Sequence, residues 1–137
     1  MNNKQTFRKK ERIFRQKEMA VLFEKGTSFT AYPLRVVYVD RQPVSGAEAA
    51  VLISVPKKKF KRAVHRNRIK RLIREAYRLN KQLLLQNLQE KETGLLAGFL
   101  FIGNELPDWK TVESAMVKAL AALLDGMDKL FLVKQYS

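Results

Sequence analysis

The spacing of hydrophobic positions along the chain predicts an alternation of helices and strands. Apolar residues three and four positions apart are typical of helices, and short β-branched or continuously apolar runs bounded by glycine or proline are typical of strands. The predicted elements are, in chain order, a helix over 13–25, a short strand near 27–32, strands over 34–39 and 49–55, a long helix over 62–86, a strand over 95–102 and a helix from Pro107 to about Gly126. The apolar residues after Gly126 fit either an extension of that helix or a packed loop.

This order of elements predicts an α+β fold in which helices pack on a small sheet. The strand over 95–102 is apolar throughout, as expected of a central strand with both faces buried. The long connection between it and the strand that ends at Val55 allows these two strands to be parallel. A length of 137 residues corresponds to one domain. We expect a basic, mobile segment over 1–12, a single domain over 13–126 and a tail over 127–137.

The long helix over 62–86 has two chemically different sides. At about 100° per residue, one side collects the apolar residues Ile69, Leu72, Ile73, Ala76, Leu79 and Leu83. The other side collects Arg66, Asn67, Arg68, Lys70, Arg71, Arg74 and Arg78. Like charges one turn apart destabilise an isolated helix by a few tenths of a kcal/mol per pair, roughly. We therefore expect an anionic partner on the basic side.

Positive charge is concentrated in the same region. The chain has 27 Lys and Arg residues against 13 Asp and Glu residues, which gives a net charge of +14. The segment 57–81 is rich in lysine and arginine and contains a single acid, Glu75. A charge this far from zero, with much of it along one helix, indicates a polyanionic partner, of which nucleic acid is the commonest.

The composition argues against a catalytic site made by this chain alone. The absence of cysteine excludes disulfides, thiolate metal sites and a cysteine nucleophile. The one histidine, His65, lies among arginines and has no orienting carboxylate in the preceding turn. The neighbouring carboxylate pairs are Glu90 with Glu92 and Asp125 with Asp128, which we expect at the surface. With no nucleotide-binding or hydrolase motif present, the sequence predicts no catalytic residue and no metal site.

Aromatic residues near the predicted sheet have two interpretations. They could stack on unpaired bases, as in proteins that bind single-stranded nucleic acid, or they could pack in the core, which the composition alone favours. The residues concerned are Phe23, Phe29, Tyr32 and Tyr38.

Targeting signals are not evident in the sequence. No apolar run of signal-peptide length follows the early positive residues, and no segment approaches the length of a membrane span. These observations predict a soluble, cytoplasmic protein without a membrane partner.

A specific motif lies at the start of the basic helix. The run Ala63-Val64-His65-Arg66-Asn67-Arg68-Ile69-Lys70-Arg71 resembles the signature of the protein subunit of bacterial ribonuclease P. The segment 53–58, Ile-Ser-Val-Pro-Lys-Lys, resembles the strand end of that family, and 22–26, Leu-Phe-Glu-Lys-Gly, resembles its N-terminal helix, which ends at a glycine. The resemblance covers roughly residues 15–125, in the element order expected of the family.

The resemblance implies a fold and a function. The fold is α-β-β-β-α-β-α, with a small, mostly antiparallel sheet and a left-handed crossover around the basic helix. The family's subunit binds a catalytic RNA, and the two together remove the 5′ leader of precursor tRNA. The RNA and its Mg²⁺ ions supply the chemistry, without an organic cofactor. The implied partners are ribonuclease P RNA and precursor tRNA, with no protein partner required.

The resemblance also implies two sets of binding residues. Those implied to bind the RNA subunit are Arg62, Arg66, Asn67, Arg68, Lys70, Arg71 and Arg74. Those implied to bind the leader, in a cleft between the first helix and the sheet, are Met19, Phe23, Tyr38, Lys57 and Lys58.

The sequence departs from the family pattern at several positions. Met19 stands where many relatives have phenylalanine, and Phe60 with Lys61 replaces a common glycine. The last strand ends Ile102-Gly103-Asn104, where relatives often carry Arg or Lys. The strand that contains Tyr38 aligns with a shift of one residue, and such a shift would turn Tyr38 to the other face of the sheet.

Two other classes of protein share some of these features. A ribosomal protein that binds folded rRNA would share the charge and size but would not require the Arg-Asn-Arg run. A basic DNA-binding domain is disfavoured because the basic face extends over several helical turns and no helix-turn-helix spacing is evident.

Overall fold

The computed structural model describes residues 16–42 and 48–136, and its sheet and helices have the α+β class predicted from the sequence. The elements are α1 Gln16–Lys25, β1 Thr27–Ala31, β2 Leu34–Arg41, β3 Ala49–Ser54, α2 Ala63–Asn80, α3 Gln82–Glu90, β4 Gly94–Phe101 and α4 Trp109–Tyr136. The short strand expected near 27–32 is present as β1. The segment 1–12, expected to be mobile, lies outside the described residues.

The four strands form one sheet in the order β1-β2-β4-β3. Strand β2 pairs antiparallel with both β1 and β4, whereas β3 pairs parallel with β4. Because β4 has a partner on each side and a helical layer near each face, nearly all of its residues are buried, as its apolar sequence predicts. The parallel pair requires a crossover, which α2 and α3 provide.

The two faces of the sheet carry different helices. Alternate residues of β2 point to opposite faces: Val36 belongs to the large core cluster shared with α2, α3 and α4, while Val37 packs with Leu22 of α1. Helix α1 lies over β2 and β4, and α4 lies over β1 and β2 on the other face. The molecule therefore has three layers, with α1 alone on one side of the sheet among the described elements.

Helix α1 approaches the sheet closely at its C-terminal end. The amide of Gly26 donates to the Leu22 carbonyl at 2.9 Å and closes the last turn. A Cβ atom at Gly26 would lie 2.7 Å from Cγ1 of Val37, which is closer than real Cβ contacts. The same Cβ would also clash with the Leu22 carbonyl oxygen, so glycine is required here both by the last turn of the helix and by the close approach of β2.

The prediction of one unbroken helix over 62–86 is wrong, because the helix breaks at Lys81. Helix α2 ends at Asn80, whose side-chain amide donates to the Ala76 carbonyl at 2.8 Å. Lys81 is only 1% exposed, and its Nζ lies 5.9 Å from the ring centroid of Tyr77. The break reorients the following residues, so that Leu84 is buried while Leu83, predicted to be in the core, is 68% exposed.

Helix α4 begins as the sequence predicts and continues past Gly126. Its N-cap is Asp108, whose Oδ1 accepts a hydrogen bond from the Thr111 amide at 2.8 Å. Hydrogen bonding from Thr111 lowers the pKa of the Asp108 carboxyl. The helix runs to Tyr136, with Met127 buried, so the residues after Gly126 extend the helix and do not form a separate tail.

Candidate nucleic-acid interface

Arginine side chains dominate the outward side of α2. Three arginines of the predicted set and one neighbouring asparagine are exposed on α2, namely Asn67, Arg68, Arg71 and Arg74. These four residues lie within about 120° of one another around the helix axis. Among residues 16–42 and 48–136, no acidic side chain forms an ion pair with any of the three arginines. This side of α2 therefore presents charge that is available to an external anion.

The one acid on the outward side of α2 is neutralised locally. Glu75 accepts two hydrogen bonds from Arg78, at 2.9 Å from Nε and 2.7 Å from Nη2. These hydrogen bonds lower the pKa of the Glu75 carboxyl. Glu75 therefore offsets the charge of Arg78 and leaves the arginines nearer the helix N-terminus without an internal counter-charge.

The N-terminus of α2 adds to the positive potential. Arg62 occupies the N-cap position, is exposed, and makes no side-chain capping hydrogen bond. The first turn contains no acidic residue. Since the N-terminal end of a helix dipole is positive, the dipole and Arg62 both favour an anion at this end.

The core side of α2 is rotated relative to the predicted one. Tyr77 is completely buried, and Leu79, predicted to be in the core, is 37% exposed. As a result Arg66 and Lys70, which flank Tyr77 on the helix, are half-buried at the margin of the basic side. Tyr77 follows Ile69 and Ile73 at i+8 and i+4, which is the sequence signal that identifies the observed face.

Arg66 hydrogen-bonds to backbone instead of pointing outward. Its Nη1 donates to the carbonyl of Phe60 at 2.8 Å and to the carbonyl of Lys61 at 2.9 Å. The structure therefore separates Arg66 from Arg68, although both belong to the Arg-Asn-Arg run.

The turn between β3 and α2 carries three lysines, and we call residues 57–59 the lysine turn. Lys57 and Lys58 are exposed. Lys59 donates from Nζ to the carbonyl of Ile102 at 3.0 Å, at the end of β4. The turn is followed by Phe60, which is buried. The lysine turn thus presents the exposed side chains of Lys57 and Lys58, and its backbone is fixed by the Lys59 contact and by the buried Phe60.

One side of α1 carries the exposed apolar side chains of Met19 and Phe23, and we call this side the outer surface of α1. Phe23 is 53% exposed and Met19 is 37% exposed, while Leu22 between them is fully buried against the sheet. Met19 and Phe23 are four residues apart, so they lie side by side on the helix. The alternative that Phe23 is a core residue is therefore wrong.

Tyr38 is not part of this surface, which corrects its predicted assignment to the leader-binding set. It is 6% exposed and lies in the core cluster on the face opposite α1, with its ring centroid 6.0 Å from that of Phe29. Burial raises the pKa of the Tyr38 hydroxyl. The residue of β2 that packs with α1 is Val37, one position earlier.

A polar strip beside α1 was not predicted. Arg35 alternates with the buried Leu34 and Val36, is exposed, and donates from Nη2 to Oγ of Ser28 at 3.3 Å. Its neighbours across the sheet are the exposed Thr30 and the half-buried Leu100. The Leu34-Arg35-Val36 alternation at the start of β2 is the sequence signal that would have placed Arg35 on the face opposite these two apolar residues.

The outward arginines of α2 and the pair Met19 and Phe23 of α1 therefore lie on opposite sides of the sheet. The outward side of α2 belongs to the helical layer on one face, whereas Met19 and Phe23 belong to α1 on the other. One continuous site cannot include both. The arrangement suits two separate nucleic-acid segments, one on each side.

The remaining acids do not converge. Asp128 pairs with Lys91 and accepts a hydrogen bond from Asn87 at 3.2 Å, while Asp125 pairs with Lys129 at 3.1 Å. Across 16–42 and 48–136, no three His, Cys, Asp or Glu side chains are grouped so that they could hold a metal ion. Within the same ranges, none of the four helices has the length and hydropathy of a membrane span.

The fold and the two surfaces define a small, basic α+β protein of the nucleic-acid-binding class. A sequence model of the family described as Ribonuclease P matches residues 7–123. The chain belongs to the ribonuclease P protein family.

The relatives agree with this assignment. The Ribonuclease P protein component of Porphyromonas gingivalis is 49% identical over 112 residues, which are 82% of this chain and 82% of that protein. The RNase P protein of Staphylococcus aureus has a similar fold, with a TM-score of 0.61 at 19% identity over 82% of this chain and 94% of that one. The RNase P protein from Thermotoga maritima gives a TM-score of 0.60 at 22% identity, with 82% and 96% covered.

Proposed function

We propose that this protein is the RNA-binding subunit of a cytoplasmic ribonuclease P holoenzyme in which a catalytic RNA removes the 5′ leader of precursor tRNA. The observation that carries the proposal is the exposed arginine side of α2, which has no internal counter-charge at Arg68, Arg71 and Arg74. Membership of the ribonuclease P family supplies the identity of the partner RNA. The protein contributes binding, and the RNA subunit contributes the chemistry.

The outward side of α2 binds the RNA subunit in this proposal. Each arginine that reaches a phosphate displaces condensed counterions, and this release favours association. Arg62 and the N-terminal end of the helix dipole extend the same surface by one turn. Because the side chains project from a helix that is already folded, little backbone conformational entropy is lost when they contact a folded RNA.

The outer surface of α1 binds the 5′ leader in this proposal. The ring of Phe23 and the side chain of Met19 offer an apolar platform on which unpaired bases can stack. Arg35, beside α1, is placed to contact the sugar-phosphate backbone. Since every base has a stackable face, such binding depends on the presence of a leader more than on its sequence.

Mg²⁺ is held by the RNA in this proposal. Mg²⁺ prefers six oxygen ligands in near-octahedral geometry and commonly uses phosphate oxygens and water. The described carboxylates are dispersed or already paired with lysine, so they do not offer a shared set of ligands. The function of the protein towards Mg²⁺ is then indirect: its arginines neutralise phosphates that would otherwise require more Mg²⁺.

Reconstitution of the full chain with ribonuclease P RNA from Porphyromonas gingivalis tests the proposal. The substrate is a precursor tRNA labelled at its 5′ end. We expect no cleavage by the protein alone and one cut at the mature 5′ end when RNA and protein are combined. The protein should also lower the Mg²⁺ concentration that the RNA needs. Metal-dependent cleavage by the nuclease-free protein would contradict the proposal.

The arginine side of α2 is tested by a triple variant, Arg68→Ala/Arg71→Ala/Arg74→Ala. Its affinity for the RNA subunit should fall with a shallower salt dependence, by about 0.7–0.9 in the log–log slope for each phosphate contact removed. Lys110→Ala/Lys118→Ala on α4 is a control at exposed lysines outside the proposed interface. Tighter binding to rRNA than to ribonuclease P RNA would favour a ribosomal protein instead.

A further inference from the structure

We infer that Arg66 is a positioning residue, which acts on RNA through the lysine turn and not by contacting RNA itself. The inference rests on the proposed function and on the leader-binding role that the resemblance implies for Lys57 and Lys58, since it concerns how the lysine turn presents these two side chains. It separates the two arginines of the Arg-Asn-Arg run: Arg68 contacts the RNA subunit, whereas Arg66 organises the preceding loop.

The hydrogen bonds of Arg66 carry the inference. Nη1 has two N–H groups, and the carbonyls of Phe60 and Lys61 lie 2.8 Å and 2.9 Å from it. Both hydrogens of this nitrogen are therefore accounted for by backbone acceptors. The side chain is half-buried, at the margin between the core and the basic side of α2. A guanidinium held in this way links the first turns of α2 to the residues that follow the lysine turn.

The lysine turn has two further attachments, and together with Arg66 they hold it at three points. The ring of Phe60 is buried, with its centroid 5.7 Å from that of Phe101. The Phe60 amide donates to the Pro56 carbonyl at 3.2 Å and closes the turn. Lys59 reaches the Ile102 carbonyl at 3.0 Å. The aromatic contact and the Lys59 contact fix the turn to the end of β4, and Arg66 fixes it to α2.

The consequence of this arrangement is that Lys57 and Lys58 project from an ordered backbone. Ordering a flexible segment on binding costs free energy, so a turn that is already ordered binds more tightly with the same charges. Arg66 attaches the lysine turn to α2, and the outward side of α2 is the surface proposed to bind the RNA subunit. Through Arg66, the orientation of the lysine turn is tied to the position of the RNA subunit.

The first test measures the mobility of the turn. Arg66→Met keeps an unbranched side chain but removes every donor, and Arg68→Met makes the same charge change at an exposed position. Hydrogen exchange at the Phe60 amide and tryptic cleavage after Lys57 and Lys58, mapped by mass spectrometry, report on the turn. Both rates should rise several-fold, to order of magnitude, in Arg66→Met and stay unchanged in Arg68→Met. Unchanged rates in Arg66→Met overturn the inference.

The second test is a double-mutant cycle on substrate affinity. Arg66→Met should weaken binding of long-leader precursor tRNA by the holoenzyme about five-fold in the native background, but by less than about 1.5-fold when Lys57→Ala/Lys58→Ala is present. Equal effects in the two backgrounds would mean that Arg66 acts independently of the turn, and would overturn the inference. Arg68→Met should be additive with the lysine pair.

The two tests also distinguish failure of the inference from failure of the proposed function. If Lys57→Ala/Lys58→Ala has no effect on leader affinity while turn mobility rises in Arg66→Met, the leader role that the resemblance implies for these lysines is wrong. The functional part of the inference is then wrong as well. If the lysine pair weakens leader binding while Arg66→Met changes neither mobility nor affinity, the proposed function stands and the positioning role is rejected.

Discussion

Glu18 near the start of α1 forms an ion pair with Arg41 at the end of β2, with Oε2 and Nη1 2.5 Å apart. Both side chains are largely buried, at 23% and 16% exposed. Leu22, one turn later, is the one fully buried residue among the described side chains of α1. Leu22 and the Glu18–Arg41 pair therefore both help to fix the position of the helix on the sheet, and hence the position of Phe23.

Removing this pair should loosen α1 without unfolding the core. Glu18→Gln keeps the shape of the side chain and removes its charge, and we expect a loss of about 1 kcal/mol in the free energy of unfolding, between the values for exposed and buried charged pairs. Urea denaturation measures the loss, and hydrogen exchange should show it concentrated in α1. Glu24→Gln, at an exposed position of the same helix, is the matched control and should change little. An equal effect of both substitutions would contradict the role of the Glu18–Arg41 pair.

Gly126 should resist replacement by alanine because of Tyr38. A helical Gly→Ala substitution normally stabilises a protein by about 0.4–1 kcal/mol. Here the added Cβ would lie 2.8 Å from Cζ of the Tyr38 ring and in contact with its hydroxyl. We expect Gly126→Ala to lower the free energy of unfolding by about 1–3 kcal/mol, as overpacked core positions do. Thermal or urea denaturation shows directly whether Gly126→Ala raises or lowers the free energy of unfolding.

A second substitution, at Tyr38, is the control for Gly126→Ala. Tyr38→Phe removes the hydroxyl that meets the added methyl group, so Gly126→Ala should be less harmful in the Tyr38→Phe background. The difference between the two backgrounds is the coupling free energy of the contact. A stabilising Gly126→Ala in the native background would show that Tyr38 does not face α4, and would restore its predicted place beside α1.

Regular patterns in the sequence predicted most of the fold. The apolar run over 95–102 identified the central strand, because a strand that is buried on both faces has apolar residues at successive positions. The break at Lys81 was not predictable in the same way, because the periodicity of apolar residues continues through it to Leu83 and Leu84. The feature that accompanies the end of α2 is tertiary: Lys81, between α2 and α3, is buried with its Nζ over the ring of Tyr77.

The candidate site was predicted less completely than the fold. The exposed positions of Arg68 and Arg71 follow from helical periodicity, but the carbonyls that hold Arg66 come from a loop whose path no local pattern gives. Tyr38 was misplaced because a resemblance aligned with a one-residue shift reverses the side of every strand residue. The alternation of Leu34, Arg35 and Val36 at the start of β2 contained the information needed to place Tyr38 on the side of Leu34 and Val36.

The position of the helix break can be tested by truncating Ile73 and Leu83 to alanine. An unbroken helix would bury both side chains, and the two truncations would then cost similar free energies of unfolding. Ile73 is fully buried, whereas Leu83 is 68% exposed. Ile73→Ala should lower the free energy of unfolding by about 2–5 kcal/mol, and Leu83→Ala should stay within about 0.5 kcal/mol of the native protein. Denaturation curves of the two variants make the comparison. A large loss for Leu83→Ala would mean that the predicted single helix is correct.

Phe23 should contribute to leader binding and little to stability. Its ring is 53% exposed, so Phe23→Ala removes a stacking platform worth roughly 1–3 kcal/mol per base and leaves the core intact. We expect about ten-fold weaker binding of long-leader precursor tRNA by the holoenzyme, at about 1.4 kcal/mol per decade, with mature tRNA nearly unaffected because it has no leader. Val21→Ala, an exposed apolar position on the other side of α1, is the control and should change neither affinity. Both affinities are measured at one salt concentration, since electrostatic binding shifts steeply with salt. An unchanged ratio of the two affinities in Phe23→Ala would exclude Phe23 from the leader surface.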